Sequence, residues 1–215
     1  MSLRIVVFGA NGPTGRIVTK KALAAGYSVT AVTRHPDRFG QQHEQLRVVY
    51  GDVYEPSTIA AAIEGQDAVL SMVGVPYSWK PITVYSQSAT AIIDGMQAAG
   101  VRRLVCTSSG GTNPDFDLRG EGFFFSCILK PTIGRTLYQD MRLQEQIVMG
   151  SDLDWTIARP AQLVTHPAGT SYQLKEAYVV PGGRRTAYTD LADFLLSAIS
   201  DERYERKAIA IASPI

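Results

Sequence analysis

Ile5-Val6-Val7-Phe8 runs straight into Gly9-Ala10-Asn11-Gly12-Pro13-Thr14-Gly15. The first four residues are a continuous apolar run, the pattern of a strand buried on both faces of a parallel sheet. Past the glycines, Thr14 to Ala25 takes helical spacing. Ile17, Val18, Ala22 and Ala25 fall along one face, and Gly26 ends the segment. Strand, glycine turn and helix in that order are the context in which a glycine pattern predicts a dinucleotide site. Glycine permits the tight turn and lets the backbone approach a pyrophosphate. The helix start offers unpaired N–H groups and the positive end of its dipole.

The alternation continues outward. Strands are predicted over Ser28–Thr33, Leu46–Tyr50, Ala68–Val73, Arg103–Thr107, Trp155–Arg159 and Lys207–Ile211. Helices are predicted over Ser57–Glu64, Pro81–Ala99, Arg135–Met149 and Asp190–Ile199, the last with Thr189 or Asp190 as its cap. This order implies an α/β fold, a doubly wound parallel sheet with helices on both faces. Two segments break the rhythm. Residues 110–134 are rich in Gly and Phe without a clean period. Residues 165–188 read as short strands at 172–175 and 177–180 with a turn at Pro181-Gly182-Gly183, a small C-terminal substrate-side appendage. The expected organisation is one NAD(P)-binding domain over 1–215, with residues 1–109 as its nucleotide-binding half and 110–215 as the remaining sheet and substrate-side loops.

Composition narrows the function class. Against 21 Lys+Arg stand 20 Asp+Glu, a net charge of +1, which argues against a nucleic-acid binder or a polybasic membrane protein. With 45% hydrophobic residues and no long charge block, disorder is not expected. No apolar stretch approaches the roughly 20 residues of a membrane helix, and Met1 to Phe8 lacks a signal-peptide cleavage pattern. Cys106 and Cys127 do not make a disulfide framework and fit a reducing cytosol, so a cytoplasmic location is expected. His35, His43 and His166 are scattered and make no metal spacing. A Gly-x-Ser-x-Gly elbow and a Walker-type Lys are both missing. The sequence leaves the oligomeric state open.

The Gly-x-x-Gly-x-x-Gly spacing, with its Asn-Gly-Pro-Thr-Gly ending, resembles the atypical and extended short-chain dehydrogenase/reductases, a Rossmann family. The resemblance implies cofactor contacts from Gly9, Asn11, Gly12, Pro13, Thr14 and Gly15. It implies an adenine-contacting Asp52 beside Val53, fourth-strand contacts at Val73 and Gly74, and an active-site Ser108 after Thr107. It also implies a nicotinamide-side Pro160 after Arg159. Asp52 in a turn and Ser108 satisfying local backbone are the plain alternatives.

The second strand ends in Thr33-Arg34, with Arg34 standing 19 residues after Gly15 and Arg38 following. NAD sites place an acidic residue near here, whereas a cation suits the 2′-phosphate of NADP. NADPH is therefore expected over NADH; a solvated surface Arg is the alternative.

The Tyr-x-x-x-Lys pair, in which Lys lowers the phenol pKa, occurs at no Tyr of this chain. The nearest match is Tyr138-Gln139-Asp140-Met141-Arg142, which puts Arg142 one helical turn above Tyr138. A packing Tyr is the alternative there. Without Tyr-x-x-x-Lys, the chain is similar to the atypical reductases related to biliverdin-IX beta reductase (flavin reductase) and to the NmrA-like group. Gly51-Asp52-Val53, Gly65-Gln66-Asp67-Ala68-Val69, Cys106-Thr107-Ser108 and Asp190-Leu191-Ala192 carry that likeness. It implies hydride transfer from nicotinamide to a planar conjugated acceptor, with the protein mainly supplying orientation. The reading departs from the biliverdin type at Arg159-Pro160-Ala161, where those enzymes carry Pro-Pro-His. It departs again at Asp140 and Glu145, which make the expected acceptor side more acidic. Phe123-Phe124-Phe125, Tyr77 and Trp79 are candidate walls for a flat acceptor; core or interface packing is the alternative for the three Phe, and a loop anchor for Trp79. The expected function is an NADPH-dependent oxidoreductase acting on a flavin or quinone. The rival is an NmrA-like protein that senses NADP(H) without turnover.

Overall fold

A computed structural model describes residues 2–114, 125–166 and 171–215. The opening run forms β1 (Arg4–Phe8), and the glycine turn leads into α1 (Pro13–Ala24). Then follow β2 (Ser28–Thr33), β3 (Leu46–Tyr50), α2 (Pro56–Ile63), β4 (Ala68–Ser71), α3 (Val84–Ala99) and β5 (Arg103–Thr107). After the break come α4 (Arg135–Met149), β6 (Asp154–Pro160), β7 (Gln162–Val164), β8 (Gln173–Lys175), β9 (Arg185–Ala187), α5 (Tyr188–Ser200) and β10 (Lys207–Ala212). Eight strands form one sheet in the order β3-β2-β1-β4-β5-β6-β10-β8. Every pairing is parallel except that of β8 with β10. The order reverses between β1 and β4, so the crevice beyond those strand ends is where a doubly wound sheet receives its ligand.

Alternation along β1 distributes its side chains to two cores. Ile5 and Val7 join Val18, Ala22, Phe194 and Leu195 on the α1/α5 face. Val6 and Phe8 join Ile59, Ile63, Ile92, Met96 and Trp155 on the face covered by α2, α3 and α4. Burying each such large apolar side chain contributes about 1.5–3 kcal/mol, which is why both faces of the strand are apolar. Among the described residues, no helix is long and apolar enough to cross a membrane.

The late segments differ from expectation in detail. Gln173–Lys175 extends the main sheet by pairing antiparallel with β10 instead of standing apart. Ala177–Val180 is not a strand: the Ala177 carbonyl accepts from Arg159 Nη1 at 3.3 Å, and Val180 is buried against Ala210 and Ala212. The small appendage is instead the two-stranded parallel sheet of β7 and β9, drawn from residues on either side.

Helix starts are set by distant residues. The helix predicted from Pro81 begins at Val84, and its N-cap Thr83 makes no side-chain cap bond. The cap comes from α4. Asp140 Oδ2 accepts from Tyr85 N at 2.8 Å and Ser86 N at 3.4 Å, and Oδ1 accepts from Ser86 Oγ at 2.5 Å. Likewise neither Thr189 nor Asp190 caps α5, whose N-cap is Ala187. Ala187 N donates to Ser213 Oγ at 2.9 Å, and that hydroxyl donates to Asp190 Oδ2 at 2.5 Å. Asp140→Ala leaves the buried start of α3 without its acceptor and should destabilise the fold by about 1–3 kcal/mol. A urea midpoint unchanged from wild type would refute that assignment.

Candidate functional site

Gly9 leaves β1 with φ of 73°, a left-handed conformation that other residues adopt at a cost. A Cβ there would lie 2.6 Å from the Met72 carbonyl carbon, so the turn rests directly on the backbone leaving β4. A Cβ on Gly15 would lie 2.7 Å from Ala10 Cα, so α1 packs onto its own turn. Gly12 differs. It donates to Gly9 O at 3.0 Å, and its own Cβ would meet only that oxygen, at 3.3 Å. Its outer side is open to close approach. Gly12 caps α1 without a side-chain bond, Pro13 follows it, and the first turn holds no acidic residue. This uncapped helix start fits a pyrophosphate, which would take the N–H groups of the first turn. Thr14 is buried in that turn. Asn11 Oδ1 accepts from Arg16 Nη2, which leaves the amide Nδ2 as the group Asn11 has to offer.

At the end of β2, Arg34 is exposed and, among the described residues, forms no ion pair. Arg38 is exposed and stands 3.8 Å from the equally exposed Asp37. Beyond β3, Asp52 Oδ1 accepts from Tyr54 N at 3.0 Å, so one carboxylate oxygen makes the turn. Val53 packs at the edge of the α2/α3 core. Beyond β4, Val73 is half-buried and Gly74 exposed. Val75 N donates to the Tyr85 hydroxyl at 3.3 Å, which holds the start of this loop on α3.

The end of β5 is tied to its neighbours. Thr107 Oγ1 donates to Ser71 O at 3.4 Å, Thr107 O accepts from Gln144 Nε2 at 3.2 Å, and Ser108 N donates to Ala158 O at 2.8 Å. Ser108 Oγ is buried and, among the described residues, has no hydrogen-bond partner. A buried hydroxyl left unpaired costs about 1–3 kcal/mol, which a ligand reaching it would recover. The local backbone therefore does not satisfy this side chain. Cys106, two residues earlier, has its thiol pushed up to about 12 by burial, so it is unreactive near neutral pH.

On α4, Tyr138 is buried and its hydroxyl lies 2.7 Å from the Tyr77 hydroxyl. Arg142 Nε donates to the Thr112 carbonyl at 2.9 Å, so this guanidinium braces the turn after β5. Two expected acidic groups turn inward. Asp140 caps α3, and Glu145 forms a two-pronged pair with Arg159, at 2.9 Å to Nε and 2.7 Å to Nη2, with both side chains 6% exposed. Thr112 Oγ1 donates to Glu145 Oε1 at 3.1 Å, and the Arg159 guanidinium stacks 4.0 Å over the Tyr178 ring. These two carboxylates do not make the acceptor side acidic. Pro160 is buried between β10 and the turn at Gly110. Tyr77 is 41% and Trp79 77% exposed, so Trp79 stands largely in solvent on the loop after β4. Phe123 and Phe124 lie outside the described residues, as does the side chain of Phe125. The described residues contain no cluster of His, Cys, Asp and Glu able to hold a metal.

A family model for NAD(P)H binding matches residues 9–202, from the first glycine of the turn to just past the end of α5. The chain belongs to the NAD(P)H-binding family. It is 28% identical to an uncharacterised chloroplastic protein of Arabidopsis thaliana, over 98% of this chain and 70% of that one. It is 26% identical to the (4-alkanoyl-5-oxo-2,5-dihydrofuran-3-yl)methyl phosphate reductase of Streptomyces griseus, over 98% of this chain and 68% of the enzyme. Among solved structures it resembles a wide-type short-chain dehydrogenase/reductase of Veillonella parvula in complex with NADP. The TM-score is 0.82 at 18% identity, covering 100% of this chain and 96% of the other, a likeness of fold.

Two features of the site have no local signature. Arg16 spans the glycine turn and the loop after β2, and Glu145 finds Arg159 across two elements. Removing one partner of a buried pair strands the other charge, so Glu145→Ala should lower stability by about 3–5 kcal/mol. Glu145→Leu combined with Arg159→Met should recover most of the loss in urea denaturation. A single-variant loss below about 1 kcal/mol would contradict the burial of this pair.

Proposed function

We propose that this chain is an NADPH-dependent reductase whose acceptor is a planar conjugated molecule of flavin or quinone type. The nicotinamide supplies the hydride. The chain's own residues bind the dinucleotide, position the acceptor beside it and exclude water. The observation that carries the reading is Ser108, a buried hydroxyl with no partner among the described residues, at the end of β5, two strands from the glycine turn. Its position suits a hydrogen bond to the nicotinamide amide or to the acceptor. Gly9, Gly12, Gly15, Asn11, Pro13 and Thr14 serve the pyrophosphate. Arg34 and Arg38 serve the 2′-phosphate. Asp52 and Val53 serve the adenine end, and Val73, Gly74, Thr107 and Pro160 the nicotinamide end. The reductase relative supports the reaction class, since its name specifies an unsaturated ring as substrate.

The inward turn of Asp140 and Glu145 favours a flat acceptor held by contact over one held by charge. Tyr138, with Arg142 bracing the adjacent turn, is the alternative proton donor. A sensor that binds NADP(H) without turnover is the second reading. It is favoured by the engagement of Arg142, Glu145 and Arg159 in internal contacts.

Oxidation of NADPH with a panel of flavins, quinones and tetrapyrroles separates the two, because the sensor oxidises NADPH with none of them. Wild type should bind NADPH about tenfold or more tighter than NADH, and Arg34→Ala should bring the two together. Equal affinity of wild type for both would sink the preference. With an active acceptor, Ser108→Ala should slow turnover about tenfold, the loss of one hydrogen bond. Tyr138→Phe should change turnover less than about threefold; a loss of 100-fold or more would make Tyr138 the general acid.

A further inference from the structure

We propose that Arg16 is a specificity-determining positioning residue for a 2′-phosphorylated dinucleotide. It clamps the loop after β2 against the glycine turn and holds an uncompensated positive charge between them. The proposal rests on the NADPH reading and adds to it a residue outside the glycine motif and outside the Arg34–Arg38 pair.

Arg16 is the fourth residue of α1 and is half-buried. Its guanidinium reaches oxygens of two segments far apart in sequence. Toward the glycine turn, Nε donates to Asn11 O at 3.1 Å and Nη2 to Asn11 Oδ1. Toward the other loop, Nη1 donates to Phe39 O at 2.8 Å and Nη2 to Arg38 O at 3.4 Å. The same group lies 5.5 Å from the centre of the Phe39 ring, itself only 1% exposed. Gln41 Nε2 returns a bond to Arg16 O at 3.2 Å. The backbone at residues 38 and 39 and the side chain of Gln41 are thus pinned to the start of α1.

All of the hydrogen-bond acceptors are neutral. Among the described residues no carboxylate pairs with Arg16, so carbonyl and amide dipoles satisfy its N–H groups and leave its full charge. Half-buried cations are less screened than solvated ones and attract an arriving anion more strongly. Among the described residues Arg34 is likewise unpaired, and Arg38 has only Asp37 at 3.8 Å. With a net charge of +1 over the whole chain, this concentration is local and not a consequence of basic composition. A phosphomonoester carries about −1.5 to −2 near neutral pH, and a ribose hydroxyl carries none. Pinning the backbone that bears Arg38 also reduces the freedom lost when the loop closes on that phosphate.

A plain structural clamp would weaken both dinucleotides alike, and a specificity device weakens one. The adenosine fragments separate these outcomes without relying on turnover. Calorimetric titration of the full chain with 2′,5′-ADP and with 5′-AMP reads the 2′-phosphate preference directly. Wild type should prefer 2′,5′-ADP. Arg16→Met should cut that preference about tenfold, equivalent to about 1.4 kcal/mol. Arg16→Lys keeps the charge but loses the fork that reaches both segments, and should cut it about threefold. Arg16→Lys decides the matter should Arg16→Met fail to fold. Equal weakening of both ligands, or an unchanged preference in the folded variants, overturns the proposal and leaves the NADPH reading standing. Equal binding of the two fragments by wild type removes the NADPH reading, and the proposal with it.

Discussion

The backbone leaving β4 passes where a side chain on Gly9 would have to be, and Ala10 occupies the space a side chain on Gly15 would need. Both contacts follow from starting α1 directly over the ends of β1 and β4. Any larger residue pushes the helix away from the sheet. With the helix in place, its uncapped first turn faces the crevice where the strand order reverses. The positive end of the dipole then points to the place where phosphates would lie. The same placement brings Arg16, one turn into the helix, within reach of the loop after β2. The remaining parts of the site take their positions from this close packing.

A second level of organisation comes from α4. Asp140 caps α3, Arg142 and Glu145 hold the turn at Thr112, and Gln144 holds the carbonyl of Thr107. One helix therefore holds both the start of α3 and the turn after β5. Side chains engaged in this way, with backbone or with one another, are not available as acids, bases or counter-ions. That explains how a helix rich in polar residues can border a site without charging it. The charge of the site lies at the opposite end, on the arginines near the end of β2. A molecule with a multiply charged phosphate at one end and a flat ring at the other matches this division.

Local patterns made much of this legible. The strands of the sheet centre read as continuous apolar runs because both of their faces are covered. The helices read from their spacing and their terminal glycines. The glycine turn was legible because Gly12 and Gly15 close on Gly9 and Ala10, a few residues away along the chain, whereas the contact that requires Gly9 comes from Met72 on a distant strand. The place of Arg34 was legible because β2, immediately before it, sets it at the carboxyl end of the sheet. The three-residue strands β7 and β9 are too short to show a period, and β8 exists only because β10 offers it an edge. The acidic residues of α4 misled for a related reason. Sequence shows a carboxylate's charge but not whether a helix start or a guanidinium stands opposite it.

The sequence by itself determined the alternation of strand and helix, the cofactor turn and the cation after β2, because each depends on neighbours along the chain. The tertiary structure alone decided that Asp140 and Glu145 face inward, that Ser108 Oγ is buried with no partner among the described residues, and that Arg16 joins two segments. Each of these depends on which distant oxygen or nitrogen comes within about 3 Å. Hydrogen bonds and ion pairs act over that range only, and packing between elements remote in sequence sets those distances.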